Sequence, residues 1–162
     1  MKHLSLLLTF LVTACSPQPS KHETTMPIAL GETRKSVNQK LGQPNIAGTP
    51  LSETYFAHGI VVTYTNDNVV QNISCAQLRS GTTFNGKVFG VSLGDPIANC
   101  TSLWGNPERW EEMPFEYSKA FYRFKDNRIE LEVWNKDGFE PSFGNYKRGT
   151  IKSLLYAKHP NG

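Results

Sequence analysis

The sequence predicts an α+β fold of two tandem repeats, each a short helix packed on a three-stranded antiparallel meander. Three observations predict it. One motif occurs twice, as Leu30-Gly31-Glu32-Thr33, Val37, Leu41-Gly42-Gln43-Pro44 and as Leu93-Gly94-Asp95-Pro96, Cys100, Trp104-Gly105-Asn106-Pro107, with a constant offset of 63 residues. Each copy precedes runs of β-branched and aromatic residues separated by turn signals. A copy alone, at roughly 50–60 residues, would bury only a marginal core, so the two must pack together or share a sheet.

The motif reads as a capped helix. Thr33 (or Glu32) and Asp95 are N-cap acceptors, and Pro96 suits the first helical position. Val37/Leu41 and Cys100/Trp104 are four residues apart and share a helix face. Gly42 and Gly105 suit a left-handed C′ position, and Pro44 and Pro107 stop the helix. In the first repeat, residues 28–75, Ile46 to Pro50 reads as a loop. Strands follow at Glu53-Thr54-Tyr55-Phe56, Ile60 to Tyr64 and Val69 to Ser74, with turns at Ala57-His58-Gly59 and Asn66-Asp67-Asn68. Residues 76–87 read as a linker, and Val88 to Leu93 enters the second repeat, residues 88–158, in extended form. Its strands are Ala120 to Phe124, Ile129 to Trp134 and Thr150 to Tyr156. Ile129, Leu131 and Val133 alternate with Glu130 and Glu132, which places the apolar three inward. Two insertions have no counterpart in the first repeat, residues 108–119 and 139–149.

Residues 1–14 read as a signal peptide. Lys2 supplies a positive start, and Leu4 to Val12 is an apolar run too short to span a bilayer. Val12-Thr13-Ala14-Cys15 resembles the bacterial lipobox. That resemblance implies lipidation of Cys15, removal of the preceding peptide and, with Ser16 next, export to the periplasmic side of the outer membrane. Residues 15–27 are polar and read as a tether, of which ten extended residues reach about 33 Å. With 17 Lys and Arg against 14 Asp and Glu, nothing points to a nucleic-acid partner.

The motif followed by an antiparallel meander resembles the SmpA/OmlA (BamE-like) outer-membrane lipoproteins, and also the tandem two-repeat β-lactamase inhibitor proteins. It implies the same fold and a protein-binding role in the envelope, as an assembly accessory or an inhibitor or immunity-like module. The longer helical lead-in of the single-copy lipoproteins is missing. The inhibitors carry cysteines within their repeats, whereas this chain has one per half.

Chemistry-bearing groups are sparse. Cys75 and Cys100 remain once Cys15 is assigned to lipid, and an oxidising compartment would favour a bridge between the halves. Two buried free thiols are the other reading. His3, His22, His58 and His159 lack ligand spacing and read as solvated, so no metal or other cofactor is expected. Glu108, Glu111, Glu112 and Glu116 read as a solvated acidic run, and no catalytic motif is present. Of the 18 aromatic residues, only Phe10, Tyr55, Phe56 and Tyr64 precede residue 80, so the second half holds more than a small core needs. Trp110, Phe115, Tyr117, Phe139, Phe143 and Tyr146 fall in the insertions, with Arg109, Lys147 and Arg148 beside them. These types anchor protein interfaces. Loops that fold back to cover the sheet are the competing explanation. The expectation is therefore a non-enzymatic envelope lipoprotein that binds a periplasmic or envelope protein. The alternatives are a structural tether or a small-ligand binder in the crevice between repeats.

Cys15→Ala is expected to abolish palmitate labelling and release the protein from the membrane fraction. Label retained in the variant would exclude this anchor.

Overall fold

A computed structural model of the chain describes residues 24–78, 82–114, 116–124, 126–140 and 144–159. The signal peptide, Cys15, Phe115 and Phe143 lie outside the described residues. The first half contains α1 (Arg34–Leu41), β1 (Ile46–Thr49), β2 (Ser52–Tyr55), β3 (Ile60–Tyr64) and β4 (Val70–Ala76). The second contains α2 (Ile97–Trp104), β5 (Arg109–Glu112), β6 (Tyr117–Phe124), β7 (Asn127–Trp134), β8 (Gly138–Glu140), β9 (Gly144–Tyr146) and β10 (Ile151–Lys158).

The structure overturns the expected α+β fold of two helix-on-meander repeats. The protein is mostly β. Eight antiparallel strands form one sheet in the order β1-β2-β3-β4-β10-β7-β6-β5, and β8–β9 is a separate hairpin. The two helices are only 8 residues each, too short to be stable as a layer of their own. Two segments expected outside the sheet are its edges. Ile46–Thr49 pairs with β2, and Arg109–Glu112, within an insertion, pairs with β6. Both were hidden from pattern reading because neither alternates: one holds Gly48, the other is largely charged. Short and charged strands are what a sheet edge tolerates.

The halves are joined where β4 and β10 pair, from Ser153↔Ala76 to Ala157↔Asn72. Ile60, Cys75, Leu154, Leu131 and Ala120 lie in one cross-strand row on one face. All five are buried. Both helices cover this face. α1 contributes Val37 and Leu41, while Cys100 and Trp104 of α2 meet the β6 side, Trp104 edge-on to Tyr122 at 5.1 Å. Full burial of a side chain such as Val37 contributes roughly 1.5–3 kcal/mol. Beneath α1 sits a polar network. Tyr55 and Tyr64 both donate to Glu53 Oε2, at 2.7 and 2.8 Å, and Tyr55 also reaches Asn38 Oδ1 at 2.6 Å. Burial pushes the Tyr55 phenol up to about 12, and Tyr64 upward in the same way.

The recurring motif makes the same backbone contacts in both places. The amides of Gly31 and Gly94 donate to Val70 O and Ile151 O, at 2.9 and 2.8 Å. Glu32 O and Asp95 O accept from Val70 N and Ile151 N. The acidic side chains act alike too: Glu32 accepts from Ala29 N, and Asp95 from Ser92 N. Asp95 thus closes its own turn and does not cap α2, whose N-cap is Pro96 with no side-chain hydrogen bond. Thr33 does cap α1, accepting from Ser36 N at 3.3 Å. The motif therefore stitches the segment before each helix to the start of a central strand.

Three further local expectations change. Val88 to Leu93 is not extended: Val88 and Val91 bridge around Phe89 and Gly90, both at positive φ. Phe89 is held there by Phe124 and Tyr156, each at 5.5 Å, and by Trp104 Nε1 donating to its carbonyl. Thr24 and Thr25, expected within the tether, are fixed to the fold. Thr25 N donates to Lys87 O, Lys87 N to Thr25 Oγ1 and Phe89 N to Thr24 Oγ1, strapping this segment onto the join between halves. His58 is half-buried, and its Nε2 donates to the Leu41 carbonyl at the end of α1, at 3.2 Å.

Gly42 (φ 82°, ψ −166°) and Gly105 (φ 81°, ψ −168°) are not in the expected left-handed helical region. They occupy one open essentially to glycine alone. A Cβ at either would meet nothing within 4 Å. Gly42→Ala and Gly105→Ala should therefore each lose about 1–3 kcal/mol through backbone strain alone. Urea unfolding should show lower midpoints with unchanged slopes. Unchanged midpoints would contradict the assigned conformation.

Candidate functional site

The face opposite the helices is open, and the second half organises it. Along β7, Ile129, Leu131 and Val133 point to the core, which leaves Glu130 and Glu132 outside. They are matched by cations across the sheet. Lys119 pairs with Glu130, whose hydrogen bond raises the Lys119 pKa, and Lys152 Nζ lies 3.4 Å from Glu132. Both pairs are part-buried, so each charge is held against its partner with limited access to solvent.

At the end of this face an aromatic array replaces the ion pairs. Tyr117 of β6 lies opposite Trp134 of β7. The register of β10 shifts between Ile151 and Ser153. Lys152, in that irregularity, sets its ammonium 4.2 Å from the Tyr117 ring centre and 5.1 Å from that of Trp134. The β8–β9 hairpin then folds back. Tyr146 stacks on Trp134 with centroids 3.9 Å apart and planes 12° from parallel. Gly138 permits this approach, since a Cβ there would stand 2.4 Å from the Tyr146 hydroxyl. Lys136 and Glu116 pair at 2.7 Å beside the array, and the hydrogen bond and charge of Lys136 hold the Glu116 carboxyl below its ordinary range. A cleft of about 320 Å³ runs from this stack to Gln77, Thr83 and Leu93, across the join between halves.

The predicted contact residues do not form one patch. Tyr117 and Tyr146 meet through Trp134. Phe139, on the same hairpin, is 65% exposed. Lys147 and Arg148 follow it at the surface, and Asp137 Oδ1 accepts from the Arg148 amide. Arg109 and Trp110 are at the far edge, on β5. Trp110 sits opposite core-facing Ala120 yet is 44% exposed, and Arg109 turns to the open face, 4.0 Å above the Phe121 ring. Trp134 and Lys152 were missed. The available signal was Trp134 itself, which falls on the polar side of the β7 alternation and so needed a cover. Tyr146 supplies that cover, so one insertion does fold back on the sheet while still exposing Phe139.

The expected bridge between Cys75 and Cys100 is absent: both are free and buried. Cys75 packs at 4.0 Å from the Met26 sulfur, and Cys100 sits in α2 near Asp95 and Tyr122. Burial pushes both thiols up to about 12. Each is therefore a small apolar core side chain and a poor nucleophile. Among the described residues, no group of three or more His, Cys, Asp or Glu is placed to hold a metal ion.

No family model matches this chain, and no curated protein matches it. Two solved structures are similar. A DUF4309 family protein from Bacillus subtilis is 14% identical, with a TM-score of 0.53 over 79% of each chain. A cysteine-rich secretory protein from Staphylococcus aureus is 14% identical, with a TM-score of 0.50 over 86% of this chain. This chain spans about half of that protein, 48% of its length. At such identity the likeness is one of fold alone.

Both thiols should resist maleimide labelling in the native chain and react on unfolding, and the unreduced mass should retain both thiol hydrogens. Loss of two hydrogens before reduction would restore the bridge.

Proposed function

We infer that the chain is a non-enzymatic bacterial envelope lipoprotein that binds a protein partner. Cys15 would carry the lipid anchor and face the protein to the periplasm from the outer membrane. One observation carries the binding role. Of the three large hydrophobic residues exposed among the described residues, Trp110 and Phe139 lie in the two insertions; Ile46 is on the opposite edge strand. Exposed aromatic side chains on segments held by a rigid sheet are typical interface anchors. Tyr146 on Trp134 keeps the base of the hairpin in place and so reduces the ordering cost of docking Phe139. No helix among the described residues is long and apolar enough to cross a membrane, so attachment would rest on acyl chains. A purely structural tether has no use for Phe139 in solvent.

Phe139→Ala should preserve folding and weaken capture of the envelope partner by about 30-fold, as for a central interface anchor. Trp110→Ala tests the β5 edge in the same assay. Partner capture by cross-linking and pull-down from solubilised envelope gives the readout. Full capture by the double variant would place the interface elsewhere.

A further inference from the structure

A second surface carries charge where the hairpin carries aromatic rings. It lies on the open face, at the corner formed by β5, the turn ends of β6 and β7, and the end of β10. A cleft of about 370 Å³ there is lined by Glu108, Arg109, Phe121, Arg123, Arg128 and His159, with Tyr122 at its wall. Arg123 and Arg128 are direct cross-strand partners in β6 and β7. Directly opposed like charges destabilise a strand pair, with Cβ atoms only about 5 Å apart. Arg109 joins them from the neighbouring strand, its guanidinium laid over Phe121, two residues from Arg123 on the same face.

The local anions do not balance this charge. Glu108 pairs with Arg123 at 3.3 Å, and Arg109 pairs with Glu111 at 3.1 Å. All four side chains are substantially exposed, so these pairs exchange readily with a better acceptor. Arg128 forms no ion pair among the described residues. The three arginines are met by two glutamates, Glu108 in the cleft and Glu111 beside it, which leaves one positive charge over, on Arg128.

We propose that this cleft binds a phosphomonoester. A phosphate ester carries about −1.5 to −2 charge near neutral pH, enough to neutralise Arg128 and to draw Arg123 from its exposed pair with Glu108, which a single carboxylate does not do at once. Its three oxygens accept from several guanidinium forks at once, the geometry for which arginine is suited. It would sit between Arg123 and Arg128 and relieve their repulsion. Arg109, steadied by Phe121, would close the third side. The site shares only Arg109 with the inferred partner surface and is tested without a partner. The ester could belong to a lipid headgroup or to a soluble molecule, since the recognising chemistry is the same.

The test is calorimetric titration of the full chain in a neutral detergent with three probes: inorganic phosphate, acetate, and mixed micelles containing dihexanoyl phosphatidate. Saturable binding of phosphate, weakened about tenfold or more in Arg123→Gln/Arg128→Gln and partly recovered with Arg128→Lys, supports the site with a soluble source. The same pattern with phosphatidate micelles alone supports it with a headgroup source. Thermal melting checks that the variants fold, and if the double variant melts early, Arg109→Gln on the edge strand carries the comparison. The proposal is overturned by absence of saturable binding for both phosphate probes, by equal affinity for acetate, or by unchanged affinity in the folded variants.

Discussion

The ladder between β4 and β10 is the contact on which the architecture depends. Its five residue pairs are the only regular sheet pairing between the two halves of the chain among the described residues. Without it, two four-stranded pieces would each leave a central strand edge unpaired, a liability for any sheet. With it, Cys75, Leu154 and Leu131 fall into one row and the two helices share one core. The recurring motif serves this contact. Gly31 and Gly94 each deliver an amide to the first residue of a ladder strand, Val70 or Ile151, and fix where β4 and β10 begin.

That dependence explains what the sequence made legible. The motif at offset 63 was readable because glycine, acidic side chain and stop signals occur in the same order twice. β7 was readable because burial alternates along it. The merger of the halves into one sheet was harder to see, since nothing local in Val70–Ala76 names a partner strand. Strand pairing between distant segments is decided by the whole core. The helices looked more important than they are because capping signals are sharp even when a helix has two turns. Asp95 shows the limit of such signals: the same side chain serves a cap or a tight turn, and only the backbone decides.

The segments that build the candidate surface were legible by a different route. An internal comparison identified 108–119 and 139–149 as segments that the first half lacks, and composition marked them as aromatic. Composition could not say which rings would be consumed by packing. Tyr146 is spent on Trp134, whereas Phe139 is left in solvent. The arginine corner was invisible in the linear sequence because Arg109, Arg123, Arg128 and His159 are brought together only by the β5–β6–β7–β10 order.

The strap formed by Thr24 and Thr25 gives the molecule a defined mechanical response. A pull on the chain ahead of Thr24 does not act first on the sheet. It loads the reciprocal Thr25–Lys87 pair and the Thr24–Phe89 bond at the join. These few exposed bonds are weaker than the five-pair ladder behind them, so they yield first. Their release frees Thr24 and Thr25, up to Met26, which packs against Cys75 in the core, and adds about 7 Å of reach. The strap is thus the point at which tension on the N-terminal side would first act, ahead of the eight paired strands.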